Sequence, residues 1–448
     1  MGLLKWLYPG MKVKRWLLLA LAGLFVAALG GDLLMKGWLL GDFARPFHRI
    51  EDALFVDDYR TAASVAFIIA GIGITAVGIL RVFNSIADAL TPGQEGRMAD
   101  VIYARRSLKR GPKIVVIGGG TGLSVLLRGL KEYTSNLTAI VSVADDGGSS
   151  GRLRGELGIL PPGDIRNCLV ALADKEPLME ELLQYRFSTG ELAGHSMGNL
   201  LLAALTDITG GFEQAVRSMN KVLALRGHVL PVTLSDVTLC AEMTDGSVMQ
   251  GQSKISHASG TIKKVFLKPS HCLPLAGALQ AIAEADAVVL GPGSLYTSII
   301  PNLLVDGIPE ALTNTRAIKI YICNVMTQIG ETDGFTASSH LRAIIDHKGK
   351  FLDYIVLNNG RVPLRLRARY QQGGAEPVMA DAGEVEKLGV EMVSTDLIHR
   401  PDLVRHHPEK LARVILRLIY SGKTQQEGKK HPGDKQDDDL EHELGANF

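Results

Sequence analysis

Glycine-rich segments with polar side chains follow apolar runs at several points of this chain, and their residues have the types and spacing needed to bind a phosphate. The first, GGGTG at 118–122, comes directly after the apolar run 114–117 and directly before a helical pattern. A strand, a glycine turn and a helix N-terminus bring backbone N–H groups against a phosphate. The segment departs from G-x-G-x-x-G, because Leu123 stands at the third glycine. A tight turn that binds nothing is the alternative. The candidate ligand-binding residues here are Gly119, Gly120, Thr121 and Gly122.

Three aspartates lie where they could meet the same ligand. Asp145 and Asp146 open the segment DDGGSSG after a predicted strand at 137–143, and Asp164 lies in PPGDIRN at the start of a helical pattern. Paired carboxylates could hold a hydrated Mg²⁺ or orient a nucleophile. A surface turn is the alternative for the pair, and a helix N-cap is the alternative for Asp164. All three are candidate catalytic residues, Asp145 and Asp146 are also candidate ligand-binding residues, and the candidate metal ligands are Asp146 and Asp164.

The segment GHSMGN at 194–199 leads into a further apolar helix. His195 or Ser196 could act as an acid, a base or a nucleophile. The spacing matches the nucleophile elbow G-x-S-x-G, but residues 187–193 are not the apolar strand that the elbow requires, which disfavours a serine hydrolase. Asn199 is instead predicted to bind a ligand or to cap the helix.

A second candidate phosphate loop, GPGSLYT at 291–297, directly follows a predicted strand at 287–290. Hydroxyl groups and free backbone N–H groups could cradle a phosphate there, and a turn with a helix cap is the alternative. A second phosphate loop near the first would suit a pyrophosphate. The segment NVMTQIGET at 324–332 follows another strand and supplies further polar groups. The candidate ligand-binding residues of these two segments are Gly291, Gly293, Ser294, Thr297 and Asn324.

The elements that must position these segments alternate along residues 112–422, which predicts an α/β fold with a mostly parallel sheet. Since ligands bind beyond the carboxyl ends of parallel strands, the segments should meet at one sheet edge. Strands are predicted at 113–117, 137–143, 287–290, 318–322 and 354–357. Helices are predicted at 122–133, 165–173, 197–208, 212–224, 274–284 and 408–421. Residues 229–270 combine alternating β-branched residues with Asp-Gly and Ser-Gly turns, which predicts an antiparallel insertion.

Two apolar stretches precede this domain, at about 16–35 and 61–82, and each has roughly the 20 residues needed to span a hydrocarbon core. We predict a membrane hairpin over 1–83, a basic linker over 84–111 and a disordered tail over 423–448. A signal peptide is the alternative for the first stretch and a buried core helix for the second. The distribution of basic residues predicts a two-pass protein of the cell membrane, with its N-terminus and large C-terminal domain in the cytoplasm. The basic linker would lie on the inner membrane leaflet or form a solvated connector.

Composition narrows the function classes further. The chain has 448 residues, 46% of them hydrophobic, and a net charge of +1, which gives no case for a nucleic-acid partner. Its four cysteines, Cys168, Cys240, Cys272 and Cys323, are far apart, so the sequence has no C-x-x-C metal or redox motif. Protein partners and oligomeric state do not follow from the sequence, and a homo-oligomer is left open.

Residues 112–422 resemble the gluconeogenesis factor family (YvcK type), which is related to the CofD-type 2-phospho-L-lactate transferases. Six motifs carry the resemblance in order: GGGTGLS at 118–124, DDGGSSGRLR at 145–154, PPGDIRN at 161–167, GHSMGNL at 194–200, GPGSLYTSIIPNLL at 291–304 and NVMTQIGET at 324–332. The resemblance implies a Rossmann-like core that binds a UDP-sugar, notably UDP-N-acetylglucosamine. It also implies a role in carbon flux, cell-wall precursor supply and cell shape. The membrane hairpin departs from the simplest, soluble form of the family.

The resemblance also implies roles for single residues. Residues 119–122 and 291–297 would hold the pyrophosphate, and Asn199 would lie beside the ligand. Asp145, Asp146 and Asp164 match the acids that organise metal and substrate in the transferase branch. The first expectation is a nucleotide-sugar-binding regulator rather than a catalyst. Two other functions stay open: a CofD-like transferase that moves a phospholactyl-type group from a nucleotide donor, and, from the first glycine loop alone, a nicotinamide-dependent oxidoreductase.

Overall fold

The computed structural model describes residues 13–35, 57–90, 106–174, 177–258, 260–399 and 405–428. The chain divides into two units, residues 1–106 and 107–448. Three predicted segments lie wholly or mostly outside the described residues: the loop at 36–56, the greater part of the basic linker (91–105) and the greater part of the tail (429–448). What the sequence predicts for them stays a prediction.

The first unit contains two long apolar helices, α1 (Val13–Leu34) and α2 (Asp57–Leu90). Within them, Val13–Leu34 and Thr61–Ser85 are long and apolar enough to cross a membrane, with mean hydropathies of 2.2 and 2.3. Glycine lets the helices approach closely, because a side chain on Gly71 would collide with the backbone of Ala27. Helix α2 also runs past the predicted hairpin boundary at residue 83. The pair could span a membrane, and its orientation stays a prediction.

The second unit is built on parallel strands. In chain order the strands are β1 (Ile114–Gly118), β2 (Leu137–Val141), β3 (His228–Pro231), β4 (Thr238–Met243), β5 (Val248–Gln250), β6 (Ile262–Lys268), β7 (Ala287–Leu290), β8 (Ile318–Ile322), β9 (Tyr354–Asn358), β10 (Glu391–Thr395), β11 (Ile398–His399) and β12 (Arg405–His406). Seven of them form one parallel sheet in the order β10-β9-β8-β7-β1-β2-β3. This sheet confirms the predicted α/β class.

Strand β1 is the point at which the strand order reverses. Strands β2 and β3 lie on one side of it, and β7 to β10 lie on the other. Ile117 of β1 pairs with Ile140 of β2 and with Leu290 of β7, so the three strands end nearly level. In open α/β sheets, the crevice beyond the carboxyl ends of the strands at such a reversal is where ligands bind. The fold therefore brings the loops after β1 and β7 to the edge where a cleft is expected.

Helices cover the sheet and complete the second unit. In chain order they are α3 (Gly120–Leu130), α4 (Gly148–Leu157), α5 (Gly163–Leu172), α6 (Pro177–Gln184), α7 (Met197–Thr209), α8 (Phe212–Val222), α9 (Gln252–Ile255), α10 (Ala276–Glu284), α11 (Ile300–Leu303), α12 (Ile308–Asn314), α13 (Ala337–Lys348), α14 (Leu364–Gln372), α15 (Ala382–Lys387) and α16 (Pro408–Gly428). A π-helical turn at Leu295–Ile299 precedes α11. Helix α4 occupies part of the predicted glycine-rich loop, and α16 continues into the segment predicted as a disordered tail.

The antiparallel insertion is present, but its predicted start at residue 229 was wrong. Strands β4, β5 and β6 form a separate antiparallel sheet. Residues His228–Pro231 instead form β3, which pairs in parallel with β2 in the main sheet. Its alternate residues Val229 and Pro231 are buried, which gives the strand the same sequence pattern as the insertion that follows it. The insertion therefore begins only after the chain has left the main sheet.

Candidate functional site

A cavity of about 420 Å³ lies at the carboxyl ends of β1, β7 and β8. Residues 119–122 after β1, residues 292–294 after β7 and residues 324–328 after β8 contribute to its lining. Three of the predicted polar segments thus converge on one space. Of the predicted ligand-binding residues, those that line it are Gly119, Gly120, Thr121, Gly122, Gly293, Ser294, Thr297 and Asn324.

The two glycine loops touch each other through backbone. Gly120 has a φ of 69°, in the left-handed region that glycine occupies without strain, and it begins α3. At Gly122, a Cβ atom would lie 2.5 Å from the carbonyl oxygen of Pro292. A side chain at this position would therefore push the loops apart. The glycines keep the N-terminus of α3, with its unpaired N–H groups, directly beside the second loop.

Hydrogen bonds fix the second loop to the third. The amide of Asn324 donates to the carbonyl of Gly293 over 2.9 Å, and the hydroxyl of Ser294 donates to Oε1 of Gln328 over 2.7 Å. The buried Asn302 of α11, the helix that follows the second loop, donates to the carbonyl of Gly118 over 3.1 Å and so joins this helix to β1. The predicted ligand-binding residue Gly291 lies outside the lining. Its φ of 80° makes it the turn residue at the end of β7.

Glu331 is a buried carboxyl behind the lining that sequence reasoning did not single out. Its Oε1 accepts hydrogen bonds from Thr297 at 2.8 Å and from Gln328 at 3.0 Å, and a longer one from Ser256 at 3.4 Å. All three donors line the cavity. Burial raises the pKa of Glu331, and the hydrogen bonds oppose that rise. Glu331 therefore links the second loop, the third loop and the antiparallel insertion.

Further lining residues come from parts of the chain that the sequence analysis left aside. Gln252 and Ser256 come from α9 and the turn after it, Tyr370 comes from α14, and Arg405 and His406 form β12. Burial lowers the pKa of His406 to about 4, so this ring is neutral at pH 7. Among the described lining residues, Arg405 is then the one with a full charge. No local motif marks it, since its place in the cavity depends on the packing of distant segments.

Asp164 and Asp145 lie close to each other beside the first glycine loop. The backbone N–H of Gly120 donates to Asp164, and a Cβ atom on Gly119 would come within 2.7 Å of Asp164 Oδ2. Burial raises the pKa of Asp164 to about 6, and the nearby Asp145 carboxylate adds to the rise. Asp164 lies in the first turn of α5 but makes no side-chain cap there. Neither aspartate is among the residues that line the cavity.

Asp146 has a different set of partners. Its Oδ1 accepts from the backbone N–H of Ser253 at 2.8 Å and from the Ser253 hydroxyl at 2.7 Å. It therefore fastens α9, which carries the lining residue Gln252, to the loop after β2. The metal role predicted for Asp146 stays a prediction, and these contacts give the side chain a structural role.

The residues that could hold Mg²⁺ are Asp145 and Asp164. A cation between them would offset their mutual repulsion, and two carboxylates completed by water or phosphate oxygens are an ordinary Mg²⁺ donor set. In the part of the chain that the structure describes, no three His, Cys, Asp or Glu side chains cluster as a metal site. The donor set therefore fits Mg²⁺ only when water or a bound phosphate supplies the remaining ligands.

The GHSMGN segment forms a buried network rather than a catalytic pair. His195 Nδ1 lies 3.0 Å from the Ser149 hydroxyl, which also accepts from Asn199 Nδ2 at 3.0 Å. Ser196 caps α7 and accepts a hydrogen bond from Arg166. His195 is therefore turned to Ser149, which leaves Ser196 without a histidine base. Asn199, predicted to lie beside the ligand, is 2% exposed and does not line the cavity.

The chain is similar to known proteins over most of this unit. The family described as 2-phospho-L-lactate transferase CofD matches residues 114–398. A crystal structure of a UPF0052 family member from Bacillus halodurans is 52% identical, covers 68% of this chain and 99% of that one, and superposes with a TM-score of 0.67. The gluconeogenesis factor of Bacillus subtilis is 51% identical over 311 residues, which are 69% of this chain and 98% of that protein.

Some relatives also match the N-terminal unit. A putative gluconeogenesis factor from Nostoc sp. is 49% identical over 422 residues, 92% of each chain. One from Deinococcus radiodurans is 38% identical over 424 residues. Since residues 107–448 are fewer than these matches, both alignments extend into the unit that contains α1 and α2. With more than two thirds of the chain covered at such identities, this protein belongs to the gluconeogenesis factor family and contains a CofD-type domain.

Proposed function

We propose that the cavity binds a nucleoside diphosphate sugar, with UDP-N-acetylglucosamine as the ligand. The observation that carries the proposal is the contact between the two glycine loops, 119–122 and 292–294, at the reversal of strand order. Backbone N–H groups from both loops would face one diphosphate, which is the use such loops have in dinucleotide-binding folds. The volume of about 420 Å³ is within the usual range for small-molecule sites.

The charge of the lining supports a diphosphate ligand. Arg405 could pair with a phosphate oxygen, and the other described lining residues add hydroxyl, amide and backbone groups without a carboxylate. A bound anion would therefore be attracted by the Arg405 guanidinium and repelled by no carboxylate of the described lining residues. The cavity also has an apolar wall, against which a base could pack. It is formed by Tyr370, Val325 and Met326, which pack on one another.

We further propose that the protein is a regulator that binds its ligand without fast turnover. The three candidate catalytic aspartates lie outside the lining, and the buried His195 has a serine rather than a carboxylate partner. The ligand state would regulate carbon flux, in keeping with the relatives' name of gluconeogenesis factor. We propose that it also regulates cell-wall precursor supply and cell shape. Helices α1 and α2 would anchor the large domain to the cytoplasmic face of the cell membrane.

One observation favours a second candidate, a CofD-like transferase. Asp164 lies beside Gly119, which lines the cavity, and Asp145 lies close to Asp164, whose pKa is raised to about 6. With Mg²⁺ held between them and the phosphates, the metal would stabilise negative charge on a transferred group. A carboxyl with such a pKa could also hold or accept a proton near neutral pH.

Calorimetry on the full chain in detergent micelles tests the proposal. UDP-N-acetylglucosamine, GDP and NAD are titrated separately, with and without Mg²⁺, and each mixture is then analysed for products. We expect tight binding of the UDP-sugar, its recovery intact, and at least about tenfold weaker binding by Arg405→Gln because a charge-assisted hydrogen bond is lost. The exposed Arg217, which is not among the lining residues, gives the control Arg217→Gln. Selective GDP binding or any converted ligand would favour the transferase.

A further inference from the structure

Helix α14 and the residues just before it form the most basic surface segment of the second unit that the function above leaves unused. Four of the nine residues 361–369 are arginine, and residues 354–375 contain no aspartate or glutamate. This density stands out in a chain whose net charge is +1. The four are Arg361, Arg365, Arg367 and Arg369.

All four arginines are exposed. None of them makes an ion pair or a side-chain hydrogen bond with another residue that the structure describes. By contrast, other exposed cations of the same unit, such as Arg342 and Lys387, are paired with Glu384. Among the residues that the structure describes, no carboxylate therefore neutralises these four arginines.

The helix is oriented by its apolar residues. Leu366 and Tyr370, four residues apart, pack on the small cluster of Val325, Met326 and Ile398. The opposite face has Leu364 at its centre, 82% exposed, with the exposed Ala368 one turn later. At 100° per residue, Arg365 and Arg369 lie to one side of this outer face and Arg367 to the other. None of the four arginines lines the cavity.

An exposed leucine flanked on both sides by arginines suits a lipid surface. Arginine side chains can extend to phosphate headgroups while the leucine between them contacts the acyl boundary. The three arginines of the helix and Arg361 just before it form a cluster of four basic residues, a number typical of segments that bind anionic lipid headgroups. Helices α1 and α2, which could span a membrane, favour a lipid surface over an acidic protein as the partner. We propose that the outer face of α14 docks on an anionic phospholipid membrane.

The docking would bear on the cavity, because the same helix supplies one of its walls. Tyr370 faces the ligand space from the inner side of α14, while the arginines would contact lipid from the outer side. This docking does not depend on which ligand the cavity binds. Helices α1 and α2 give the chain a reason to meet a bilayer.

Hydrogen exchange on the full chain in nanodiscs, without nucleotide, tests the docking. Discs of phosphatidylcholine alone are compared with discs that also contain phosphatidylglycerol, and exchange is followed at the backbone amides of 364–372. We expect about tenfold slower exchange in the anionic discs, because arginines near the surface are attracted to the anionic headgroups and part of this attraction stabilises the helix. One-molar salt should abolish the difference, since it shortens the screening length to about 3 Å.

Two variants separate the arginines from general charge effects. In the first variant, Arg365, Arg367 and Arg369 are all replaced by glutamine. Its hydrogen exchange should no longer depend on the lipid, and its far-ultraviolet circular dichroism should match the wild type, because these exposed side chains have no partners among the described residues. Replacing Arg342, Lys387 and Arg217 by glutamine removes the same net charge elsewhere and should leave it intact. Equal exchange in both lipids would overturn the proposal. A lipid dependence that survives in the triple-arginine variant would also overturn it. So would slower exchange at 364–372 on addition of polyglutamate with no such effect of the anionic discs.

Discussion

Replacing Gly122 by alanine should separate the two glycine loops. The new Cβ atom would lie 2.5 Å from the carbonyl oxygen of Pro292, whereas ordinary contacts begin at 3.4 Å. The loops must therefore move apart by about 0.9 Å, the difference between these two distances. The nearest neighbours are backbone atoms of Pro292 and Gly293, which cannot rotate away as a side chain could. Such overpacking typically costs about 1–3 kcal/mol in stability.

The same change should also weaken ligand binding. A diphosphate held by N–H groups of both loops would lose about one charge-assisted hydrogen bond, roughly 1.5–3 kcal/mol, or about 10- to 100-fold in affinity. Titration calorimetry with UDP-N-acetylglucosamine measures this loss, and thermal unfolding measures the stability.

The control is Gly155→Ala in helix α4. Its Cβ atom would meet nothing within 4 Å, so alanine should stabilise this helix by roughly 0.5–1 kcal/mol and leave the affinity unchanged. Both glycines are in helices, so helix propensity favours alanine at each position. A loss of stability in Gly122→Ala would therefore come from the collision with Pro292 alone. Unchanged affinity and unchanged stability in Gly122→Ala would refute a rigid cradle made by the two loops.

Substitutions at three other residues test the surroundings of the cavity. Asp146→Ala removes the acceptor of two hydrogen bonds from Ser253, so it should destabilise the domain by about 1–3 kcal/mol in urea unfolding; equal stability would contradict its structural role. Asp164→Asn should stabilise the protein at pH 7 but not at pH 4. The folded-state pKa of about 6 lies above the ordinary 3.8, so the wild type loses stability as pH rises through this window, by up to about 3 kcal/mol at 1.36 kcal/mol per unit. The same stability difference at both pH values would contradict the raised pKa. Glu331→Ala removes the acceptor shared by three lining side chains and should lower the ligand affinity about tenfold. Glu331→Gln keeps an acceptor oxygen, so its affinity should stay within about threefold of the wild-type value. Equal affinities of the two variants in calorimetry would contradict the proposed link.

The parts of the fold that sequence could predict are those specified locally. Strand β1, its glycine turn and helix α3 follow from a buried apolar run, three glycines and an amphipathic pattern within 17 consecutive residues, 114–130. The same holds for β7 and the loop after it. Helix α4 was missed because three of its ten residues are glycine, each costing about 1 kcal/mol relative to alanine. Its Gly151 is needed where the carbonyl of Asp146 passes close to the helix.

The parts of the site that sequence could not predict depend on long-range packing. Arg405 reaches the cavity in the two-residue strand β12, almost 300 residues after Gly119, and no motif surrounds it. Tyr370 reaches it because Leu366 and Tyr370 bury one face of a helix whose sequence is mostly polar. Strand β10, with a half-exposed sequence at the sheet edge, also lacked the continuous apolar run that marks a buried strand.

A structure of the full chain with UDP-N-acetylglucosamine bound tests directly whether the two glycine loops hold the diphosphate. We expect its oxygens to lie within about 2.7–3.2 Å of backbone nitrogens in residues 120–122 and 293–294, with Arg405 on a phosphate and the sugar intact. A diphosphate bound elsewhere, or held by Asp145 and Asp164 through a metal without contact to both glycine loops, would contradict it.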